Sequence, residues 1–459
     1  MILIKNGYIV TMDPQRRVYK DGFIAINNSR IEEIGESKDI GNRYKDATVI
    51  DAKGKVVLPG LIDAHTHLYQ VLYRGLGDDM PLAEWLMKCI WPLSRYLGRE
   101  ESYMGAMLAS LEMLKTGTTT FADSHYINID KNCHDGIAQA IEEIGIRGVL
   151  GRATVDSSPA PEIFRESIDD AQIGAAKVIE KYHGLANGRI TVRVEPLNET
   201  LASKEMIKAM WDIAKQYNVG MNMHLAETSG RVQSSRDKYG FSSVEFLNSI
   251  GVLGPNLLLA HCVWISKKEI YLLSTTGTKV VHNSVSNQYL ADGIAPIPEL
   301  IRNGVTVSVG ADGACSNNNL DMFGAMKAAA LLHKVNEMNP LALTAEKVLE
   351  MATIDAAKSL GMEDEIGSLE KGKKADIILI DSNRSDMTPN YSKISNLVYA
   401  TTGDAVDTVI IDGKVVMDNR NIVNMEESKI LERANVVVGD MLTNSNSWDL
   451  VNRSNWLFI

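Results

Sequence analysis

Cysteine is scarce: four residues in 459, Cys89, Cys133, Cys262 and Cys315, with no CxxC pair among them. So few, so scattered, cannot make a disulfide framework, and they predict free thiols in a reducing compartment. Basic charge is in deficit too. Lys and Arg number 47 against 58 Asp and Glu, giving a formal net charge of -11 and a pI near 5.4. That balance repels phosphate backbones and anionic lipid, which argues against nucleic acid or membrane as partners and for a small neutral or cationic substrate. No run approaches the roughly 18–20 apolar residues of a membrane span. The opening MILIKNGYIV has no basic region followed by an apolar stretch and a cleavage site, so a cytoplasmic location is expected. Internal repeats and low-complexity segments are also missing. What is present is an ordinary globular composition, 45% hydrophobic and 23% charged, in a chain long enough for one large domain and a smaller satellite.

Residues 1–57 read as short strands with turns, in ILIKNGYIVTM, GFIAINNSRIEEIG and a run ending at KGKVVLPG. From residue 58 apolar strands alternate with amphipathic helices, as in DAQIGAAKVIEKYHG, RITVRVEP, SKEMIKAMWDIAKQYN and VGMNMHLAE. Repeated β-then-α units imply parallel strands, and roughly eight of them predict an α/β protein built on a (β/α)8 barrel of the TIM type. After residue 365, ADIILIDSN and DTVIIDGKVVMDNRNIV return to strands joined by an Asp-Gly turn. The expected division is therefore 1–57 and 366–425 as two parts of one small β domain, 58–365 as the barrel, and 426–459 as a C-terminal helix with a polar tail.

LPGLIDAHTHLYQ places His65 and His67 two apart on an apolar strand, whose period of two sends both imidazoles to one face. Taken alone, this pair is equally a strand with two satisfied core histidines. VGMNMHLAET repeats the arrangement with Asn222 and His224 on one face and Glu227 just beyond; NLLLAHCVW ends at His261 and VTVSVGADGACS at Asp312. Each polar group sits where an apolar strand stops, which is where barrel enzymes place their chemistry. Three imidazoles and a carboxylate suit a divalent ion such as zinc or iron(II), with a position left for water. His282, ending another apolar strand, is a candidate for bonding the substrate, against the alternative of a structural histidine.

The segments PGLIDAHTH, HLAET, the His261 strand, HNSVSN and GADGACSNNNLDMF together resemble the motifs of the amidohydrolase superfamily over most of the chain. Within it they most resemble the group containing S-adenosylhomocysteine and methylthioadenosine deaminases, guanine and 8-oxoguanine deaminases, and triazine hydrolases. The resemblance implies a β-sandwich from both chain termini beside the barrel. It also implies His65, His67, His224 and Asp312 as metal ligands, with Glu227, His261 and Asp312 catalytic. Binuclear relatives bridge two ions with a carboxylated Lys on the fourth strand; RITVRVEP has no Lys there, so one divalent ion, zinc before iron(II), is expected. The HxE and PCxxC signatures of the cytidine-type zinc deaminases do not occur. Such resemblance also implies a dimer or larger homo-oligomer.

The implied reaction is hydrolytic removal of an amino group, as ammonia, from a heterocycle such as S-adenosylhomocysteine or methylthioadenosine. By the same resemblance Glu84, in DDMPLAEWLMKCIWP, accepts ribose hydroxyls, or else belongs to a surface helix whose Trp85 and Trp91 pack inward. Arg152, with Arg165 second to it, meets a substrate carboxylate, and His125 lines the pocket. His134, His183 and His333 are expected at the surface. One departure counts against a nucleoside: where the adenosyl-type enzymes carry a His after a Pro, this chain reads VEPLNETLAS, with Leu197. A free purine base or a triazine losing an amine or chloride is therefore the alternative substrate. A catalytically silent scaffold is the alternative of another class.

Overall fold

The computed structural model describes residues 1–41 and 43–451. Eight parallel strands, Leu61–Thr66, Thr118–Asp123, Arg147–Thr154, Ile190–Pro196, Met221–Leu225, Leu257–His261, Lys279–His282 and Val307–Val309, lie side by side in chain order. They are buried almost throughout, as strands covered by helices on the outside and filled by side chains within must be. The last strand meets the first through single bonds and not a full ladder. The amide of Asp312 donates to the His65 carbonyl at 2.9 Å, the Thr66 hydroxyl to the Asp312 carbonyl at 2.9 Å, and the Ala311 amide to the Asp63 carboxylate at 2.9 Å. Gly310 allows this approach, because a Cβ there would stand 2.8 Å from the His65 carbonyl oxygen. The eight strands thus form a nearly closed (β/α)8 barrel.

The helices between the strands follow from local chemistry. Lys204–Tyr217 starts where the Ser203 side chain accepts the amide of Met206, buries Met206, Ile207, Met210, Ile213 and Ala214 on one face, and stops at Asn218 in the left-handed conformation. Ile168–Tyr182 begins in the same way at Ser167. No helix among the described residues is long and apolar enough to cross a membrane.

A second sheet draws strands from both chain ends. Its order is Asn421–Ile422, Lys414–Asp418, Val406–Ile411, Ile377–Asp381, Lys55–Pro59, Ile2–Val10, Val18–Asn27 and Arg30–Glu36, with Thr48–Asp51 also paired to Ile2–Val10. The two ends join where Ile377–Asp381 runs antiparallel to Lys55–Pro59, with Leu379 opposite Val57. The expected Asp-Gly turn is Asp412-Gly413, both at positive φ, as a tight hairpin requires. The helix Glu427–Ser445 then crosses back onto the helix Arg99–Lys115, where Lys115 pairs with Glu427 at 2.9 Å. The end of the expected polar tail, 452–459, lies outside the described residues.

One buried ion pair ties the terminal sheet to the barrel. Arg147, at the start of the third barrel strand and 1% exposed, donates to both oxygens of Asp376 at 2.7 and 3.0 Å. Asp376→Ala leaves that guanidinium uncompensated, and unfolding in urea should show a loss of about 3–5 kcal/mol. An unchanged unfolding midpoint would show that the pair does not hold the two sheets together.

Candidate metal centre and active site

His65, His67, His224, His261 and Asp312 converge at the C-terminal ends of the first, fifth, sixth and eighth barrel strands, all of them buried. Ligand atoms of His65, His67 and His224 lie within 4.8 Å of one another, as do those of His65, His261 and Asp312. The Nε2 atoms of His67 and His224 face each other at 3.2 Å, and Asp312 Oδ1 is 3.5 Å from His67 Nε2 and 3.6 Å from His65 Nε2. Bonds of about 2.0–2.1 Å to a tetrahedral ion set neighbouring donor atoms roughly 3.3 Å apart, so these separations suit one divalent cation.

The second nitrogens decide which lone pairs face inward. His67 Nδ1 donates to the Ser124 carbonyl at 2.6 Å, which leaves Nε2 unprotonated. His224 Nδ1 lies 3.1 Å from Glu195 Oε1, close to the carboxylate but without a hydrogen bond to it. Burial, and then the neighbouring imidazoles, push His65 and His224 well below the ordinary histidine range, so both remain neutral. His65 Nε2 is buried without a hydrogen-bond partner. A bare His67 lone pair, a second ring nitrogen facing it and an unpartnered third nitrogen suit a cation site.

The backbone is strained here. His261 (φ 73°), Cys262 (φ 48°), Ala226 (φ 51°) and Asp312 (φ 62°) all take the left-handed conformation without being glycine. Such residues cost on the order of 1–3 kcal/mol each and persist where surrounding structure holds them, commonly at active sites.

Glu227, two residues past its strand, lines the same pocket as His67, His224, His261 and Asp312. Burial alone would raise its pKa, but Arg231, one helical turn on and paired with it, outweighs burial together with nearby histidines and holds it below the ordinary value. Glu227 is therefore an ionised carboxylate in the resting protein. The pocket wall is apolar and aromatic, with Leu82, Trp85, Tyr126, Leu197, Leu201 and Leu290.

Four sequence-predicted substrate contacts are not brought to this pocket. Glu84 pairs with Lys88 and faces a groove beside Ser445 and Asn446, because the short helix Leu82–Trp85 turns Trp85 inward instead. Arg152 donates to both oxygens of Glu166 at 2.7 and 2.6 Å and borders a separate cavity that also holds Arg165. His125 lies behind the pocket against Tyr69 and His134, burial pushing its pKa down to about 3, while its neighbour Tyr126 reaches the pocket. A shift of one residue at a strand end reverses the face a side chain takes. His282 points outward to the helix Met322–Asn336, its Nε2 3.0 Å from His333 Nε2.

Two surface assignments are corrected as well. His134 and His333 are buried, whereas His183 is exposed. The sequence reading missed Glu195, Ser124, Arg231 and Asn287, which surround the histidines and Glu227. Glu195, a charge ending the apolar strand Ile190–Pro196, and Asn287, within HNSVSN, carried a signal; Ser124 meets His67 through its backbone carbonyl and carried none.

A model of the amidohydrolase family matches residues 56–416. The chain is 41% identical to a 5'-deoxyadenosine deaminase of Methanosarcina acetivorans, over 97% of this chain and 99% of that one. It is 39% identical to a 5-methylthioadenosine/S-adenosylhomocysteine deaminase of Syntrophomonas wolfei, over 94% and 97%. Among solved structures it resembles an adenosine deaminase from Xanthomonas campestris with bound zinc, at TM-score 0.91 and 30% identity, covering 96% of this chain and 98% of that one.

His65→Ala removes one of the converging nitrogens and should leave purified protein with well under one equivalent of metal by elemental analysis. His125→Ala, behind the pocket, should keep the full equivalent. Equal metal contents in the two variants would contradict this placement of the ion.

Proposed function

Because the chain belongs to the amidohydrolase family, we propose that it is a zinc-dependent aminohydrolase releasing ammonia from an adenosine-like nucleoside. The observation that carries this reading is the placement of His261 Nε2, 3.8 Å from both Glu227 Oε1 and Asp312 Oδ2. Two carboxylates able to move protons thus flank one point beside three further imidazoles.

His65, His67, His224 and Asp312 would hold the single ion, and their nitrogen and oxygen donors suit zinc. When bound, such an ion supplies Lewis-acid chemistry that lowers the pKa of water from about 15.7 towards about 7.

The residues manage two protons. Hydrolysis of an aminated ring carbon transfers both hydrogens of one water, one to the adjacent ring nitrogen and one to the departing amino group. Glu227 is ionised at rest, so it must first take up a proton and then deliver it to the ring nitrogen. Asp312, on the other side of His261, is placed to accept the second and pass it to the leaving ammonia. Trp85, Tyr126 and the leucines offer flat apolar surfaces to a heterocycle. Leu197 contributes packing there without a hydrogen bond to the ring. The names of the full-length relatives favour a nucleoside over a free base or triazine.

Zinc-loaded protein should release ammonia from 5'-deoxyadenosine or methylthioadenosine faster than from guanine or an aminated triazine. The reverse order would overturn the nucleoside assignment. Glu227→Gln should retain one equivalent of metal and lose at least about 100-fold in kcat, the usual scale for removing an acid-base group. Turnover at the unmutated rate would remove Glu227 from the reaction.

A further inference from the structure

His261 belongs geometrically to a possible ligand triad with His65 and Asp312, and its Nε2 is buried without a hydrogen-bond partner. By position alone it is either a ligand or a hydrogen-bond donor. The choice depends on which ring nitrogen carries the proton, and that is set by what the other nitrogen meets.

Its Nδ1 meets two amides. Asn287 Nδ2 lies 3.0 Å away and Asn283 Nδ2 3.5 Å away, both side chains being buried. Asn287 Nδ2 also lies 3.4 Å from Asp292 Oδ2, so each of its hydrogens faces an acceptor. The helix Ser284–Tyr289 fixes this placement, since its first turn carries the Asn287 amide to the Asn283 carbonyl. The contrast with His67 is direct. His67 Nδ1 faces a carbonyl, which can only accept, so its Nε2 is a bare lone pair. His261 Nδ1 faces the side-chain nitrogens of Asn287 and Asn283, a setting that calls for a lone pair on Nδ1 and a proton on Nε2.

We infer that Asn287 is a positioning residue that fixes the tautomer of His261, making it a hydrogen-bond donor to the attacking oxygen and keeping it out of the metal's ligand set. The 3.8 Å distances from Nε2 to Glu227 and Asp312 leave space for that oxygen between the three groups. An N–H directed there is preorganised, orients the oxygen and steadies the negative charge it takes on when the water's proton is removed ahead of attack. The kinetic part of this inference rests on the hydrolytic reading above; the tautomer does not.

The test begins without substrate. In zinc-loaded protein labelled with 15N-histidine, the His261 signals, identified by their loss in His261→Gln, should show protonation at Nε2 and not at Nδ1. His261→Gln should still hold one equivalent of zinc. Asn287→Leu should shift the signals towards the other tautomer and lower kcat by at least about tenfold with KM changed less than about threefold. Should Asn287→Leu fold poorly, Asn287→Ala and the spectrum of the unmutated protein carry the same test. A proton on Nδ1 in the unmutated protein, loss of zinc in His261→Gln, or unchanged kcat in a folded Asn287 variant each overturns the inference. Absence of ammonia release from every nucleoside with a Nε2-protonated His261 would instead fault the proposed reaction and leave the tautomer standing.

Discussion

Two imidazole nitrogens, His67 Nε2 and His224 Nε2, face each other at 3.2 Å with their other nitrogens turned to a carbonyl and a carboxylate. That constraint shapes everything around it. Two ring nitrogens so close in a buried site must share a proton or a cation, and burial opposes any further protonation of the cluster. The Ser124 carbonyl and Glu195 hold this arrangement from outside, with Glu195 in turn accepting from the Ser124 hydroxyl at 2.9 Å. Outer contacts of this kind orient donors and raise their basicity.

The barrel exists to bring such groups together, and it closes where it needs to. Asp63, buried and pushed up to about 8 chiefly by that burial, accepts from the amides of Ala311 and His65, so the first strand is tied to the segment leading into Asp312. The left-handed residues Ala226, His261 and Asp312 turn the chain at three strand ends where three functional side chains leave the sheet or follow it. Strain there is offset by packing elsewhere, including the continuous apolar layer between strands and helices.

Much of this was legible from sequence because it is local. Periodicity marked the helix Lys204–Tyr217, and the two-residue spacing of His65 and His67 placed both imidazoles in one cluster. Stretches such as IILIDSN and the Asp-Gly turn marked the returning strands. The placements that differ from expectation share one cause. Glu84, Arg152, His125 and His282 are each a plausible substrate contact by residue type and position, but each found a partner or a face in the fold first: Lys88, Glu166, the back of the pocket and His333. A charged or polar side chain takes the nearest complement, and no spacing along the chain states what that will be.

The sequence by itself determined the alternation of parallel strands and helices, the return of the chain's end to the sheet begun by its start, and the supply of histidines and carboxylates at strand ends. These depend on periods of two and 3.6 residues and on turn chemistry, all short-range. Only the tertiary structure decided that Arg231 keeps Glu227 ionised, that Arg152 is engaged by Glu166, and that His67 and His261 face opposite kinds of hydrogen-bond partner. Protonation and pairing depend on distances of about 3 Å, many of them between residues far apart in the chain, and folding alone sets those distances.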